Sequence, residues 1–388
     1  MAVVYQISDN IISPLGLTTH ENYVAVVNGQ HGLRKFSNDY LEVSEDFCAA
    51  IIDDCNTYTM RQKFGLLDKY TRAEKLSILS VALAMENSGI DASSERTLFV
   101  VSTTKGNISV LEGNFNREHP DKRLYLWHLA QEISDYFNNP NTPVVVSQAC
   151  ISGISAQIVA KRLILSGRFD HAIVVGIDLV TRFVVSGFQS FKALSPDPCR
   201  PFDAERKGLN IGEAAATIIY GKANSITELP ENAIYLDAES VTNDANHISG
   251  PSRTGEGLFQ AIQKAMLQSG NTLPDFICAH GTATPYNDEM EAIALTRAGL
   301  LSVPVFSLKP YFGHTLGAAG VLETILASEA LKNNMVLRNM NYTSSGVSAP
   351  VNVVTSNSKL RANSFLKTIS GFGGCNAAAI FKKKGGAL

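Results

Sequence analysis

The stretch that decides the fold, residues 143–156, reads PVVVSQACISGISA. Three valines form a short β-branched run typical of a buried strand, and small residues suited to a close-packed helix follow. Cys150 stands at the junction, where a helix offers free N–H groups and the positive end of its dipole. Such a position stabilises a thiolate and can hold an oxyanion on a thioester. We interpret Cys150 as a candidate nucleophile; the alternative is a buried small hydrophobic residue, as most free cysteines are.

Apolar runs and helix-like stretches alternate around this segment. Strands are predicted at 99–102, 144–146, 172–175 and 216–220, and helices at 70–87 and 155–165. This alternation predicts an α/β fold of packed layers. A turn-rich stretch between Gly221 and Pro230 is the best boundary, so we expect one half at residues 1–222 and a second at 232–388.

The second half repeats the pattern of the first. An apolar run at 303–307 leads into Gly313 and His314, and a helix is predicted from about 316 to 331. Both halves therefore contain a strand, a turn with a chemically capable residue and a small-residue helix.

Two histidines lie in turns of this half. His280 follows the apolar run 276–279 and precedes Gly281, and His314 follows Gly313. A single histidine in a turn is more often structural than catalytic. Two of them together with a candidate thiol favour a covalent acyl-transfer site.

Composition narrows the class of protein. The 388 residues are 45% hydrophobic, and the formal net charge of −3 gives no basic bias that would indicate nucleic-acid binding. Six scattered cysteines show neither a disulfide framework nor zinc-ligand spacing, so we expect reduced thiols and no metal. The N-terminus lacks a secretory pattern and no apolar run is long enough to span a membrane, so a cytoplasmic protein is expected.

Together the segments resemble the β-ketoacyl-acyl-carrier-protein synthases, condensing enzymes of the thiolase superfamily. The resemblance covers nearly the whole chain, and the matching blocks occur in the family's order. They are residues 12–16, the nucleophile segment at 149–150, the Pro-Phe-Asp segment at 200–214, and the blocks at 280–291, 309–320 and 371–376.

This resemblance implies a five-layered αβαβα fold built from two similar halves, and a decarboxylative Claisen condensation. Cys150 would take an acyl group from an acyl carrier protein, and malonyl-acyl carrier protein would lose carbon dioxide and attack the thioester. Two histidines, as here, are typical of the elongating members of the family. His280 and His314 would stabilise the enolate through their Nε2–H groups.

The resemblance also implies roles for neighbouring residues. Lys309 and Glu291 would form a supporting polar network, with Asp288 nearby. The backbone N–H groups of Cys150 and Phe372 would form the oxyanion hole, and Phe372 would gate the acyl pocket. Residues implied to bind substrate are Thr282, Thr284 and Gly373.

Partners follow from the resemblance as well. No cofactor is expected to be bound, because phosphopantetheine arrives on the acyl carrier protein. Carrier proteins are acidic, and Arg61, Lys63 and Arg206 are candidate docking residues; ordinary solvated charges are the alternative. A homodimer is expected, and a heterodimer with a subunit resembling a chain-length factor is the second option.

Some positions depart from the family pattern. Cys375 stands where threonine is usual, Pro310 where serine is usual, and Ser370 where a bulkier residue is common. These changes favour specialised polyketide, polyene or aryl-lipid synthesis over housekeeping fatty-acid elongation. Two other hypotheses stay open at this point: a thiolase-type acyltransferase that releases no carbon dioxide, and a non-catalytic or chain-length-determining subunit of a heterodimeric synthase.

Overall fold

The computed structural model describes residues 2–53, 69–86, 88–112, 121–248 and 250–385. The strands in this part of the chain are β1 (Val3–Ile12), β2 (Leu33–Phe36), β3 (Phe47–Ala50), β4 (Thr97–Ser102), β5 (Val144–Val146), β6 (His171–Asp178), β7 (Ile211–Gly212), β8 (Ala214–Ala223), β9 (Ile234–Asn243), β10 (Phe276–Cys278), β11 (Val305–Phe306), β12 (Met335–Val336), β13 (Ser358–Lys359), β14 (Ser364–Gly371) and β15 (Cys375–Lys383). The helices are α1 (Thr19–Val27), α2 (Arg72–Met85), α3 (Leu126–Tyr136), α4 (Ser152–Leu165), α5 (Arg182–Ser190), α6 (Glu256–Gln268), α7 (Pro285–Arg297), α8 (Lys309–Phe312) and α9 (Ala319–Lys332).

Ten strands form one mixed sheet in the order β11-β10-β14-β15-β9-β1-β8-β6-β4-β5. Within each five-stranded half, counted along the chain, the spatial order is third, second, fourth, fifth, first. The strand directions agree as well, because the fifth strand is antiparallel to its two neighbours in both halves. The predicted two similar halves are therefore confirmed at the level of topology.

The two halves share a local irregularity. The first strand of each half carries one unpaired residue against the fifth strand, Ile7 in β1 and Asp237 in β9. Such β-bulges increase the local twist of a sheet. The halves join where Tyr5 of β1 pairs with Tyr235 of β9. The limits 222 and 232 stay a prediction; β8 ends at Ala223 and β9 begins at Ile234.

Two buried helices lie between the sheet halves. Helices α4 and α9 contact strands of both halves and share one apolar core with them. Helices α2 and α3 cover the outer face of the first half, and α6 and α7 cover that of the second. The layers are therefore helix, sheet, helix, sheet, helix, as the sequence predicts.

The central helices touch at two glycines. A Cβ at Gly320 would lie 2.5 Å from the backbone N of Ile154, and a Cβ at Gly153 would lie 2.8 Å from the N of Val321. Only glycine permits this approach. The close crossing brings the N-terminal ends of α4 and α9 together, with Cys150 two residues before α4 and His314 five residues before α9.

Candidate active site

The turn before α4 presents Cys150 at the head of the helix. Ala149 adopts a left-handed conformation with φ of 46°, which aims the following residue away from the course of β5. The Ser152 hydroxyl fixes this turn, since it accepts from the N–H of Gln148 at 2.7 Å and donates to the carbonyl of Ala149 at 2.6 Å. The predicted junction of strand, cysteine and helix is observed.

The Cys150 thiol is buried, with 8% of the residue exposed. Burial raises the pKa of this thiol to about 12, against the opposing influence of the Lys309 charge and of the Phe372 N–H that faces the sulfur. Burial thus opposes the thiolate that Lys309 and the Phe372 N–H favour. The N–H groups can still act on charge that develops during acyl transfer.

Both candidate histidines converge on this thiol. The Cys150 Sγ and one ring nitrogen of each of His280 and His314 lie within 4.8 Å of one another. The two imidazole rings are nearly perpendicular, at 81°, with centroids 5.2 Å apart. A thioester carbonyl at Cys150 would therefore lie beside two N–H donors.

The ring of His314 is held in one tautomer. Its Nδ1 accepts the N–H of Leu316 at 3.2 Å, so Nε2 carries the proton. That Nε2 is buried and has no hydrogen-bond partner among the described residues. An unpaired buried N–H is costly, so it provides a ready donor for an incoming oxygen. Asn210 orders the same turn, because its carbonyl accepts the backbone N–H of His314 at 2.7 Å.

His280 is anchored through its backbone. The N–H groups of His280 and Gly281 donate to the two oxygens of Glu291, at 2.9 and 2.7 Å. Its Nδ1 has no partner among the described residues, so the protein does not impose one tautomer there. Burial and the charge of Lys309 lower the pKa of both imidazoles well below the usual range. Both rings are therefore neutral at physiological pH, and each carries a single N–H.

Lys309 and Glu291, implied by the resemblance to belong to one supporting polar network, have different partners in the structure. The Nζ of Lys309 instead lies 2.7 Å from Oε1 of Glu323, and the Nζ of Lys367 lies 2.8 Å from Oε2 of the same carboxylate. All three side chains are buried. Glu291 instead accepts the two backbone N–H groups and the Thr368 hydroxyl, the latter at 2.7 Å.

Asp288 holds the turn that follows His280. Its carboxylate accepts the N–H groups of Thr282, Ala283 and Phe202. Burial raises its pKa to about 6, although the Phe202 N–H lowers it. The Asp288 carboxylate therefore lies behind the turn, with no contact to the thiol.

A cavity of 390 Å³ opens in front of the three reactive groups. Thr282 and Thr284 lie in its wall, and their hydroxyls are 2.9 Å apart. Gly371, Phe372 and Gly374 form the wall at the last turn. Gly373 instead donates its N–H to the carbonyl of Ile248 at 2.7 Å, so its role in substrate binding stays a prediction.

Phe372 has the surroundings expected of a gate. Its ring is 38% exposed, with centroids 5.7 Å from Phe188 and 5.4 Å from Phe191. These two rings lie at the end of α5, which sequence patterns did not link to the site. In the sequence, these two residues are marked only by their spacing, a pair of phenylalanines three residues apart.

Of the three candidate docking residues, the structure describes one. Arg61 and Lys63 lie outside the described residues. Arg206 is described, and its guanidinium donates to the carbonyls of Asp203, Gly346 and Pro285. The Arg206 guanidinium thus holds a loop through these hydrogen bonds, and a docking role for this residue stays a prediction. Lys192 and Lys207, which no sequence motif marks, are exposed at the cavity mouth.

Comparison with family models decides the class of protein. The model for the N-terminal domain of β-ketoacyl synthases matches residues 7–225, and the model for the C-terminal domain matches residues 233–343. The chain is a member of the β-ketoacyl synthase family. The predicted enzyme class, a ketoacyl synthase that carries out Claisen condensation, agrees with this membership.

Curated relatives of this β-ketoacyl synthase include polyketide and 3-oxoacyl synthases. It is 29% identical to the tetracenomycin polyketide synthase ketoacyl synthase alpha subunit of Streptomyces glaucescens, over 81% of this chain and 82% of that protein. It is 27% identical to 3-oxoacyl-[acyl-carrier-protein] synthase 2 of Vibrio cholerae, over 96% and 97% of the two chains.

Solved structures confirm the fold of this β-ketoacyl synthase. A ketosynthase from Xenorhabdus doucetiae, in complex with its chain length factor, superposes with a TM-score of 0.87 at 25% identity and covers 98% of both chains. A β-ketoacyl synthase from Burkholderia phymatum gives 0.85 at 23% identity, over 99% of this chain and 100% of that one. Among the described residues, no helix is both long and apolar enough to cross a bilayer.

Proposed function

We propose that this β-ketoacyl synthase holds an acyl group on Cys150 and extends it with the two-carbon unit of a malonyl thioester. The observation that carries the proposal is the convergence of the Cys150 sulfur and the two histidine nitrogens, within 4.8 Å, at the wall of one cavity. Nucleophile, oxyanion donors and enolate donors are then all within reach of one substrate carbon.

In the first half-reaction, the Cys150 sulfur attacks the thioester carbonyl of an acyl carrier protein. The carrier thiol leaves with the proton of the Cys150 thiol, and the acyl group stays on the enzyme. The negative oxygen formed on attack is placed to accept the N–H groups of Cys150 and Phe372, the latter of which already faces the sulfur.

In the second half-reaction, malonyl-acyl carrier protein loses carbon dioxide. The electron pair of the broken carbon–carbon bond forms an enolate, whose oxygen accepts the N–H donors of His280 and His314. Its carbon then attacks the acyl-Cys150 carbonyl, and the Cys150 sulfur leaves as a thiolate that takes a proton from water to restore the thiol. Two neutral imidazoles suit this step, because each donates a hydrogen bond without being acidic enough to protonate the carbanion.

We also propose that no cofactor or metal takes part and that phosphopantetheine arrives on the substrate. The hydroxyls of Thr282 and Thr284 line the cavity and could bind the amide groups of that arm. An acidic carrier protein would meet Lys192 and Lys207 at the mouth. Overnight treatment with a chelator is expected to leave the activity unchanged.

A second copy of the chain is the proposed partner in assembly. Among the strands of the described residues, β5 is an edge of the large sheet, and its three valines are only half-buried. Helix α3 contacts this strand, and Tyr125 and Trp127 beside it are exposed at 59% and 55%. An open apolar edge strand is normally paired or covered. A heterodimer with a chain-length-factor-like subunit is the other outcome, and the solved ketosynthase from Xenorhabdus doucetiae has such a partner.

The pathway is proposed to be specialised polyketide or polyene synthesis, in the cytoplasm, with fatty-acid synthesis as the second candidate. The polyketide synthase subunit of Streptomyces glaucescens among the relatives supports the first, and the 3-oxoacyl synthase of Vibrio cholerae supports the second.

The proposal is tested by intact-protein mass after mixing with short, medium and long acyl carrier proteins. We expect an acyl adduct on the parent protein and none on Cys150→Ala. Cys375→Ala is the matched control, because Cys375 is a buried thiol close to the same turn and should not be needed for acylation. An adduct that persists in Cys150→Ala, or none with any donor in the folded and assembled parent, would overturn the nucleophile assignment.

A further inference from the structure

A second buried lysine lies beneath the catalytic histidines. Lys367 is fully buried on β14, the strand that leads to Phe372. Its Nζ contacts Glu323 and also donates to the carbonyls of Cys278, at 3.2 Å, and Thr368, at 2.6 Å. Nothing in the proposed reaction steps has used this group.

The contacts of Lys367 connect the elements that carry the site. Cys278 ends β10, two residues before His280, and Glu323 belongs to α9, which follows His314. Glu323 is also the partner of Lys309, which begins α8 and precedes His314 by five residues. One carboxylate thus lies between two ammonium groups, and the three side chains join the turns of both histidines.

We propose that Lys367 is a positioning residue that supplies the second positive charge of a buried Lys309–Glu323–Lys367 bridge and thereby keeps His280 and His314 as neutral hydrogen-bond donors during condensation. This role rests on the function proposed above. The bridge carries one net positive charge, and it opposes the arrival of a further proton on either imidazole.

Charges on more than one element act on the two imidazole rings. Lys367 contributes to the lowered pKa of both imidazoles, after burial and Lys309 and, for His280, after His314. The titratable groups on the elements that carry or hold the two histidine turns and the Cys150 turn are Lys309, Lys367, Glu323, Glu291, Asp288, Asp178, Lys105 and the Cys150 thiol. The carboxylates of Glu291 and Asp178 accept backbone N–H groups, which offset part of their charge.

The protonation state of the two histidines decides which product forms. An imidazolium beside the enolate would give its proton to the carbanion, and malonyl-acyl carrier protein would end as carbon dioxide and acetyl-acyl carrier protein. A neutral imidazole leaves the carbanion free to attack acyl-Cys150. The ratio of acetyl to β-ketoacyl product therefore reports the protonation of the two histidines. If the role of Lys367 were merely structural, its removal would not make this ratio depend on pH.

The test measures this product ratio by mass spectrometry between pH 8 and pH 6, with acyl and malonyl carrier proteins. In the parent, the ratio is expected to stay nearly constant. In Lys367→Met, we expect it to rise about tenfold as the pH falls, since removal of a positive neighbour raises the histidine pKa values. Acylation of Cys150 at pH 8 should stay within about threefold of the parent, because it uses the backbone donors.

Three further variants separate charge from packing. Lys367→Gln keeps a donor for the Cys278 carbonyl without the charge, and its ratio should also rise; Lys367→Arg keeps the charge and should restore the parent ratio. Lys382→Met is the matched control, since Lys382 pairs with Asp237 on the neighbouring strand and is partly exposed. A constant ratio in the folded Met or Gln variant, or an equal rise in Lys382→Met, would overturn the proposal. A parent that forms no β-ketoacyl product would contradict the proposed function instead.

Discussion

At the scale of single residues, the site combines buried groups that are held uncharged with others that are held charged. Burial favours the uncharged forms of the Cys150 thiol and of the two imidazoles, whereas Glu323 stays charged. Burial alone would raise the pKa of Glu323, but Lys309 and Lys367 lower it below the usual range. The site thus enters the reaction with neutral reactants and a fixed ionic support behind them.

The pKa of Cys150 gives a direct prediction for its alkylation. Because the thiolate is the reactive form and the pKa lies near 12, the rate with iodoacetamide should rise about tenfold per pH unit from pH 7 to pH 9.5. The rate at Cys150 is followed by peptide mass mapping. A plateau between pH 7 and 8 would show a stabilised thiolate and would contradict the effect assigned to burial.

The buried ionic bridge gives a stability prediction. Glu323→Gln leaves two buried ammonium groups without a counter-ion, so we expect a loss of about 3–5 kcal/mol in the free energy of unfolding. Denaturant titration measures it. Glu256→Gln is the matched control, because Glu256 pairs with Arg297 at the surface, where ion pairs contribute little, so this substitution should change stability far less. Equal effects of the two substitutions would contradict the account of the bridge.

Residue patterns explain why part of the site was found and part was missed. Cys150, His280 and His314 stand at turns after short apolar runs, so local sequence locates them. The partner of Lys309 depends on how α9 packs against β14, which local sequence does not determine. One sequence feature does indicate this bridge. Glu323 and Lys367 are single charged residues inside otherwise apolar segments, and such charges need a buried partner.

At the scale of elements, the two central helices decide where the reactive groups meet. The strands at 144–146 and the helices at 70–87 and 155–165 were predicted to within a few residues of the observed β5, α2 and α4. The crossing of α4 and α9 was not predicted, because Gly153 and Gly320 read as ordinary small residues until their mutual contact is known.

This crossing can be tested with a single methyl group. Gly320→Ala would place its Cβ 2.5 Å from the Ile154 N, so the helices must separate, and we expect a loss of about 1–3 kcal/mol together with reduced activity. Gly187→Ala in α5 is the control, because its Cβ would have no neighbour within 4 Å. A helical glycine in open space should gain about 0.5–1 kcal/mol on substitution. Thermal unfolding of both variants measures the difference, and a stabilised Gly320→Ala would contradict the crossing.

At the scale of the whole molecule, a duplicated fold brings two different kinds of chemistry together. The first half provides Cys150, the proposed nucleophile, at the head of its central helix, and the second provides both histidines and the ionic bridge. The repeat of strand, turn and helix was visible in the sequence. The identical order and direction of five strands in each half required the long-range pairings of the structure.

The open edge of the sheet predicts the assembly. Val145→Arg on β5 is expected to convert a dimer into a monomer in light scattering, because it puts a charge on the proposed pairing edge. Leu273→Arg, at a residue that is 51% exposed and away from β5, should stay dimeric. A parent that is monomeric alone but forms a complex with a chain-length-factor-like chain would replace the homodimer with the heterodimer.

The central claim is that one thiol and two histidines carry both halves of a condensation, and a single turnover tests it most directly. Purified acyl-Cys150 enzyme is mixed with malonyl-acyl carrier protein, and carbon dioxide, enzyme mass and carrier mass are followed together. We expect one carbon dioxide for each acyl group lost from Cys150, and a carrier product that contains the acyl group plus two carbons. Loss of the acyl group without carbon dioxide, or carbon dioxide release while Cys150 stays acylated, would contradict the account.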